Sequence, residues 1–218
     1  MFIMEITVDQ MYRIENKGHD MGFLKKFMME NAGAAAVRRL IGKLENVESK
    51  KILIFVGLGN NGGDGLVMAR HLSGYDAKVT VVLLGNPENI KTEESNWNWS
   101  ILKKMPSIKL VTDDSFDDDF SPDVIIDGIL GTGITGEIRE PYASAINFIN
   151  KTNCFKFAVD VPSGLDPQTG ETANIFTKCD MTVTFHKMKQ GIPKRKDLTG
   201  ELYAEKIGIP PEAEEGIL

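Results

Sequence analysis

Three short segments of this chain bring together residue types that can do chemistry. Residues 57–65 read GLGNNGGDG, five glycines with two amides and one acid. Residues 127–137 read DGILGTGITGE, and residues 160–166 read DVPSGLD. Glycines let successive backbone N–H groups turn toward one point, which makes an anion-binding concavity. Gly57, Gly59 and Gly62 have the G-x-G-x-x-G spacing of a dinucleotide-binding turn. Asp64 is out of place in such a turn, because it puts negative charge where a phosphate would be held. Carboxyls and hydroxyls of the kind found in the other two segments move protons.

These segments need a scaffold. KKILIFV precedes the first, and its apolar run over 51–56 is that of a strand covered by helices on both faces. Further strands are expected at 79–84, 108–111, 123–126, 155–161, 181–185 and 202–206. Helical patterns fall between them at 65–72, at 86–104 (opening on Asn86, Pro87 and Glu88) and at 141–149. Two helices come earlier. Thr7 to Gln10 read as a capping box, opening a short helix that Gly18 closes. A longer one over 23–44 carries apolar faces at helical spacing around an alanine-rich stretch, 32–36. The alternation predicts one Rossmann-like, three-layer, doubly wound α/β domain with a mainly parallel sheet. The helical extension spans 1–46 and the core 50–210. The last strands have no helices between them, so an antiparallel edge is expected. Ligands bind outside the carboxyl ends of such strands, where all three segments fall.

Composition narrows the field. With 218 residues, 42% hydrophobic and 26% charged, the chain reads as an ordinary globular domain. A net charge of -6 argues against nucleic acid as a partner. The basic stretch 187–196 reads as a solvated loop, and the acidic run 113–120 as an exposed one. Cys154 and Cys179 lie in no C-x-x-C and are expected reduced, which suits the cytoplasm. Glu5 and Asp9 do not fit a signal peptide, and no apolar run approaches the ~18 residues of a membrane span. The second strand ends Leu84, Gly85, Asn86, without the acid a dehydrogenase places there for the ribose. No lysine completes a P-loop. The glycine spacing alone is also compatible with a tight turn that serves packing.

The longer strings are more specific. Residues 60–65, NNGGDG, resemble the signature of the YjeF N-terminal family, the NAD(P)H-hydrate epimerases. Residues 28–33, MMENAG, are similar to that family's M-E-N-A-G helix, and 127–133, DGILGTG, to its D-x-[LI]-[LF]-G-T-G loop. Residues 160–166 match its D-[VI]-P-S-G-[LW]-D segment, and Thr184, Phe185, Lys189 and Gly191 keep its late spacing. The correspondence runs from about residue 5 to 210, in family order. One departure is His186-Lys187-Met188, where a G-x-P type of tripeptide is often seen.

The resemblance implies an isomerase. Its substrate is NADH or NADPH hydrated across C5=C6 of the nicotinamide ring, and the enzyme interconverts the R and S epimers at C6. The repair step feeds a dehydratase, expected here as a separate chain with no dehydratase domain fused. The resemblance places the substrate along Asn60, Asn61, Gly62, Gly63 and Asp64. It continues along Gly131, Thr132, Gly133, Ile134, Thr135, Gly136 and Glu137, and ends at Asp160. It also implies one potassium ion per subunit, held by Asn61, Asp127 and Ser163. A large, weakly hydrated cation suits one carboxylate among neutral oxygens. Read locally, Asp127 and Asp160 also suit capping roles and Ser163 a turn. The centre can be erased through an iminium or by ring opening and reclosure; Asp160 is the expected catalytic group, as proton carrier on either route and as the anion facing the cation on the first. Lys189 suits phosphate contact or charge balance, or equally plain surface decoration, and Glu30 and Asn31 support the site from behind. A non-catalytic nucleotide- or protein-binding module and a dehydrogenase remain alternatives. Preference between the two cofactor forms and a homodimeric state stay open.

Overall fold

A computed structural model describes residues 5–112, 120–133 and 136–218. Its strands are β1 (Glu5–Ile6), β2 (Lys51–Val56), β3 (Lys78–Leu83), β4 (Ile108–Val111), β5 (Val124–Gly128), β6 (Phe155–Val159), β7 (Met181–Phe185), β8 (Met188–Lys189) and β9 (Glu201–Glu205). Its α-helices are α1 (Val8–Asp20), α2 (Lys25–Leu44), α3 (Asn60–Gly74), α4 (Glu93–Leu102), α5 (Tyr142–Lys151) and α6 (Lys196–Thr199). The acidic run expected as a loop lies almost wholly outside the described residues.

Seven strands form one sheet in the order β4-β3-β2-β5-β6-β7-β9, every neighbouring pair parallel. The expected antiparallel edge is therefore corrected: β9 runs parallel to β7. The connection between them holds β8, a 3-10 turn (Ile192–Arg195) and α6, enough chain for the crossover a parallel pair needs. The period-2 alternation of the central strands divides the core. Ile52, Ile54, Val56, Val81 and Ile126 pack with α2, α3 and α4, through Ala36, Leu40, Leu72 and Trp99 among others. Leu53, Phe55, Val82 and Ile125 pack on the other face, against Ala145, Ile146 and Ile149 of α5. Chain order reverses at β2, with β3 and β4 on one side and β5 onward on the other. This topological switch point opens a crevice at the carboxyl ends of β2 and β5.

Three local expectations are corrected. Helix α1 does form the capping box, with Thr7 Oγ1 accepting from Gln10 N and Gln10 Oε1 from Thr7 N. It runs on past Gly18, which is a packing residue: a Cβ there would lie 3.0 Å from Met28 Cε. Helix α3 begins at Asn60 rather than 65, so the amides of the first segment occupy a helical N-terminus. The pattern over 86–104 is two elements. Asn86 caps only a 3-10 turn (Pro87–Asn89), Lys91 N bonds Leu58 O at 2.8 Å, and Thr92 then opens α4. A small parallel pair was not foreseen: β1 lies against β8, joining Glu5 and Ile6 to Met188 and Lys189. Both cysteines are free, and among the described residues no helix is long and apolar enough to cross a membrane.

Candidate functional site

The crevice closes to a cavity of about 300 Å³. Its floor is the meeting of the loops after β2 and β5. Gly57 N bonds Gly128 O at 3.1 Å, and a Cβ on Gly57 would sit 2.0 Å from Ile129 O. Glycine is required there by backbone contact. The N-terminus of α3 opens into the cavity and presents N–H groups that no intrahelical acceptor takes up. Asn60, Asn61 and Asp64 line it from α3, and Gly131, Thr132 and Gly133 from the loop after β5. Asp160 and Lys189 line the far wall, and α1 contributes Met11, Tyr12 and Glu15. Tyr12 Oη and Thr132 Oγ1 lie 2.7 Å apart in a hydrogen bond that ties α1 to that loop.

Asp160 follows β6 in the left-handed region, with φ 61°. Aspartate is one of the few residues that visit it. Three donors converge on its Oδ1: Lys189 Nζ at 2.6 Å, Thr184 Oγ1 at 2.8 Å and Phe185 N at 3.1 Å. Oδ2 receives none among the described residues and is free for a ligand. Lys189 is 2% exposed. Its ammonium is satisfied by Asp160, by Thr184 Oγ1 at 2.9 Å and by Phe185 O at 3.1 Å. Of the roles expected for Lys189, this geometry is charge balance.

Asp127 is a residue of β5 itself, paired in register with Phe55 and Ala158 and fully buried. It accepts from Ser163 Oγ at 2.6 Å, Ser163 N at 2.8 Å, Thr177 Oγ1 at 2.6 Å and Ile129 N at 3.2 Å. Burial pushes its carboxyl up, and the Ser163 and Thr177 bonds act against that. Ser163 Oγ also accepts from Leu130 N at 2.9 Å, while Asn61 Nδ2 donates to Leu130 O at 3.1 Å. Asn61, Asp127 and Ser163 are thus gathered around one stretch of backbone. Among the described residues, buried Asn61 Oδ1 has no hydrogen-bond partner. A lone buried amide oxygen is costly unless something meets it. A Cβ on Gly131 would come 3.8 Å from that oxygen. One carboxylate, one amide oxygen and one hydroxyl suit a singly charged cation. Among the described residues no cluster of three or more acidic, histidine or cysteine ligands exists for a divalent one.

The other expected residues divide. Gly62 and Gly63 are buried and are not among the lining residues. A Cβ on Gly62 would meet Gly57 O at 2.0 Å, and one on Gly63 would meet Ser95 Oγ at 2.4 Å and Met29 Cε at 2.5 Å. Gly136 and Glu137 are exposed away from the cavity, and Ile134 and Thr135 lie outside the described residues. Glu30 takes hydrogen bonds from Arg70 and, at 2.8 Å, His71 Nε2, and Asn31 Nδ2 donates to Ile207 O at 2.8 Å. Both stand behind the cavity wall. Sequence reasoning missed Glu15. The signal was there: positions 8, 11, 12 and 15 make one stripe of α1, and a carboxyl interrupts it. Burial raises the Glu15 carboxyl, with Lys189 acting against it. Burial raises Asp64 well above the usual range, with Asp160 and Glu15 adding to it.

Comparison with known proteins places this site in company. The family model described as YjeF-related protein N-terminus matches residues 25–191. The NAD(P)H-hydrate epimerase of Nitrosopumilus maritimus is 87% identical over 215 residues, 99% of this chain and 100% of that relative. The NAD(P)H-hydrate epimerase of Cenarchaeum symbiosum is 69% identical with the same coverage. The bifunctional NAD(P)H-hydrate repair enzyme Nnr of Methanothermobacter thermautotrophicus is 46% identical over 89% of this chain, which spans 38% of that relative. The crystal structure of yeast ynu0, YNL200c, superposes with a TM-score of 0.78 at 22% identity. It covers 90% of this chain and 86% of its own, a likeness of fold.

Proposed function

The chain belongs to the YjeF-related protein N-terminus family, and we propose that it is an NAD(P)H-hydrate epimerase, an isomerase of the hydrated nicotinamide ring. The observation that carries this is full-length identity of 87% and 69% to two relatives of that name. The cavity at the switch point supports it, being within the size range of small-molecule sites.

C6 of the hydrate bears a hydroxyl and is bonded to the ring nitrogen. The nitrogen lone pair can expel that hydroxyl as water, leaving a planar iminium that water re-enters from either face. Such a step is accelerated by an anion held against the developing cation. Asp160 fits that role: its Oδ1 is fixed by three donors and its Oδ2 is left for the ring. Lys189 positions Asp160 from below. The N-terminus of α3 and the loop from Gly131 bind the phosphates. Asn61, Asp127 and Ser163 would hold one potassium ion, which when bound supplies positive charge beside the buried Asp127 carboxylate. Support for this is the unpartnered Asn61 Oδ1. The relatives named as bifunctional repair enzymes support a dehydratase acting downstream of this chain. Two free cysteines support a cytoplasmic setting.

The test is a racemic hydrate mixed with a dehydratase that takes one epimer. This protein is expected to speed conversion of the slow fraction. An unchanged slow phase would sink the assignment.

A further inference from the structure

Glu15 is the one acidic residue that α1 puts into the cavity wall. Val8, Met11 and Tyr12 share its stripe, of which Met11 is buried, Val8 and Glu15 are half-buried and Tyr12 is exposed, and a charged group facing a cavity from such a stripe stands out among apolar side chains. Among the described residues no hydrogen bond or ion pair engages the Glu15 carboxyl. Four carboxyls therefore line one small space from four elements: Glu15 from α1, Asp64 from α3, Glu94 from α4 and Asp160 after β6. Of the cations around it, Lys189 is buried and already paired to Asp160, Lys25 is half-buried like Glu15, and Lys91 is exposed. A half-buried carboxyl with no donor, beside other acids, holds its proton more tightly than one in water. The direction found for Glu15 agrees: burial raises it and Asp160 adds to that, against Lys189 and Lys25.

We propose that Glu15 is a second catalytic carboxyl of this enzyme, the proton donor to the C6 hydroxyl. The proposal rests on the epimerase reading and divides between two residues the work that Asp160 alone was expected to do. The Glu15 O–H bond breaks and its proton goes to the C6 hydroxyl oxygen. The C6–O bond breaks with its electron pair on oxygen, and water departs. The ring nitrogen lone pair becomes the second bond of C6=N. In return, water adds to the opposite face of C6, the C=N pair goes back to nitrogen, the surplus proton passes to solvent, and Glu15 is reprotonated from solvent. Nothing is oxidised or reduced. Glu15 lies outside the span matched by the family model, yet α1 lines the cavity, which on this proposal makes it a working part of the site and not only an appendage.

The experiment compares wild type, Glu15→Gln and Glu15→Asp in epimerisation of a resolved hydrate over a range of pH. Wild-type kcat is expected to fall as pH rises, because the donor must be protonated. For Glu15→Gln, kcat should drop about 10²-fold, the scale of a lost general acid, and that falling limb should vanish. KM should stay within about threefold, since the loss is in the transition state. Glu15→Asp should keep part of the rate and shift the limb. A glutamine variant with wild-type kcat overturns the proposal and leaves the epimerase reading intact. Should the glutamine variant not fold, an aspartate variant with an unmoved limb overturns it equally. Wild type without epimerisation removes the reading and this proposal together.

Discussion

The Asp160–Lys189 pair joins two largely buried charges, neither of which burial would tolerate alone. Asp160→Asn keeps size and most hydrogen bonding but not the charge. Epimerisation should fall about 10²-fold or more, the usual scale for such a group. Binding of NADPH as a probe should weaken much less, because the phosphates sit elsewhere; equal losses in both would refute the role. Lys189→Met strands a carboxylate in a mostly desolvated place. Breaking one side of such a pair costs about 3 kcal/mol, readable by urea unfolding. The double variant Asp160→Asn, Lys189→Met should lose less than the sum of the singles, since the two side chains share one bond. The Asn61 oxygen calls for a separate test. Potassium chloride, against choline chloride, should raise the melting temperature of wild type, by about 2–4 °C for each kcal/mol of binding. Asn61→Ala and Asp127→Asn should lose that response, and Asp127→Asn should also bind the probe less well. A response that survives both would move the ion elsewhere.

Helices α2 and α3 set the depth of the cavity, and they approach through glycine. A Cβ on Gly33 would stand 2.5 Å from Val67 Cγ1 and 3.1 Å from Asp64 O. Gly33→Ala would gain about 1 kcal/mol of helix propensity if the site were open. Here the branched Val67 cannot give way, so overpacking of about 1–3 kcal/mol should win and the variant should be less stable by denaturation. Adding Val67→Ala should restore part of the loss; no recovery would show that the clash lies with the Asp64 carbonyl instead. The same glycines explain what sequence reading could and could not find. Strand β2 was legible because one continuous apolar run serves both faces, and Asp127, Asp160 and Ser163 because they follow or end strands. The start of α3 was not. Propensity reads NNGGDG as loop, while contacts of Gly62 with Gly57 and of Gly63 with Met29 hold it helical. Glu15 was hidden differently: its stripe was visible, but which wall that stripe faced depends on residues far along the chain.

At the scale of the whole molecule, the two ends of the chain meet to hold α1 over the site. Gln10 Nε2 donates to Ile217 O at 3.1 Å and Lys17 Nζ to Glu215 O at 2.8 Å, while Gln190 N bonds Ile6 O at 3.1 Å. None of these partners is near in sequence, which is why the closing segment could not be read from local pattern. His186, the departure from the family tripeptide, sits at this seam. It is buried in the left-handed region at φ 63°, with Nε2 3.1 Å from Glu214 Oε1, and Lys187 Nζ lies 2.7 Å from Glu214 Oε2. Burial pushes the imidazole down to about 4, with Glu214 acting against it. A depressed histidine is neutral in the fold and takes up a proton more readily when unfolded. Its contribution is therefore complete above the unfolded value of about 6.5 and is lost as pH falls through that value toward 4. Glu15, Asp64 and Asp127 have the opposite sign: their carboxyls are raised, so taking up protons favours the fold as pH falls. Comparing a variant with wild type isolates the histidine from them. His186→Asn keeps a residue that tolerates the left-handed region and removes the titration. Between pH 7 and pH 5, where the histidine begins to act, wild type should lose urea resistance more steeply than the variant. Parallel slopes for the two proteins would show that this seam does not titrate through His186.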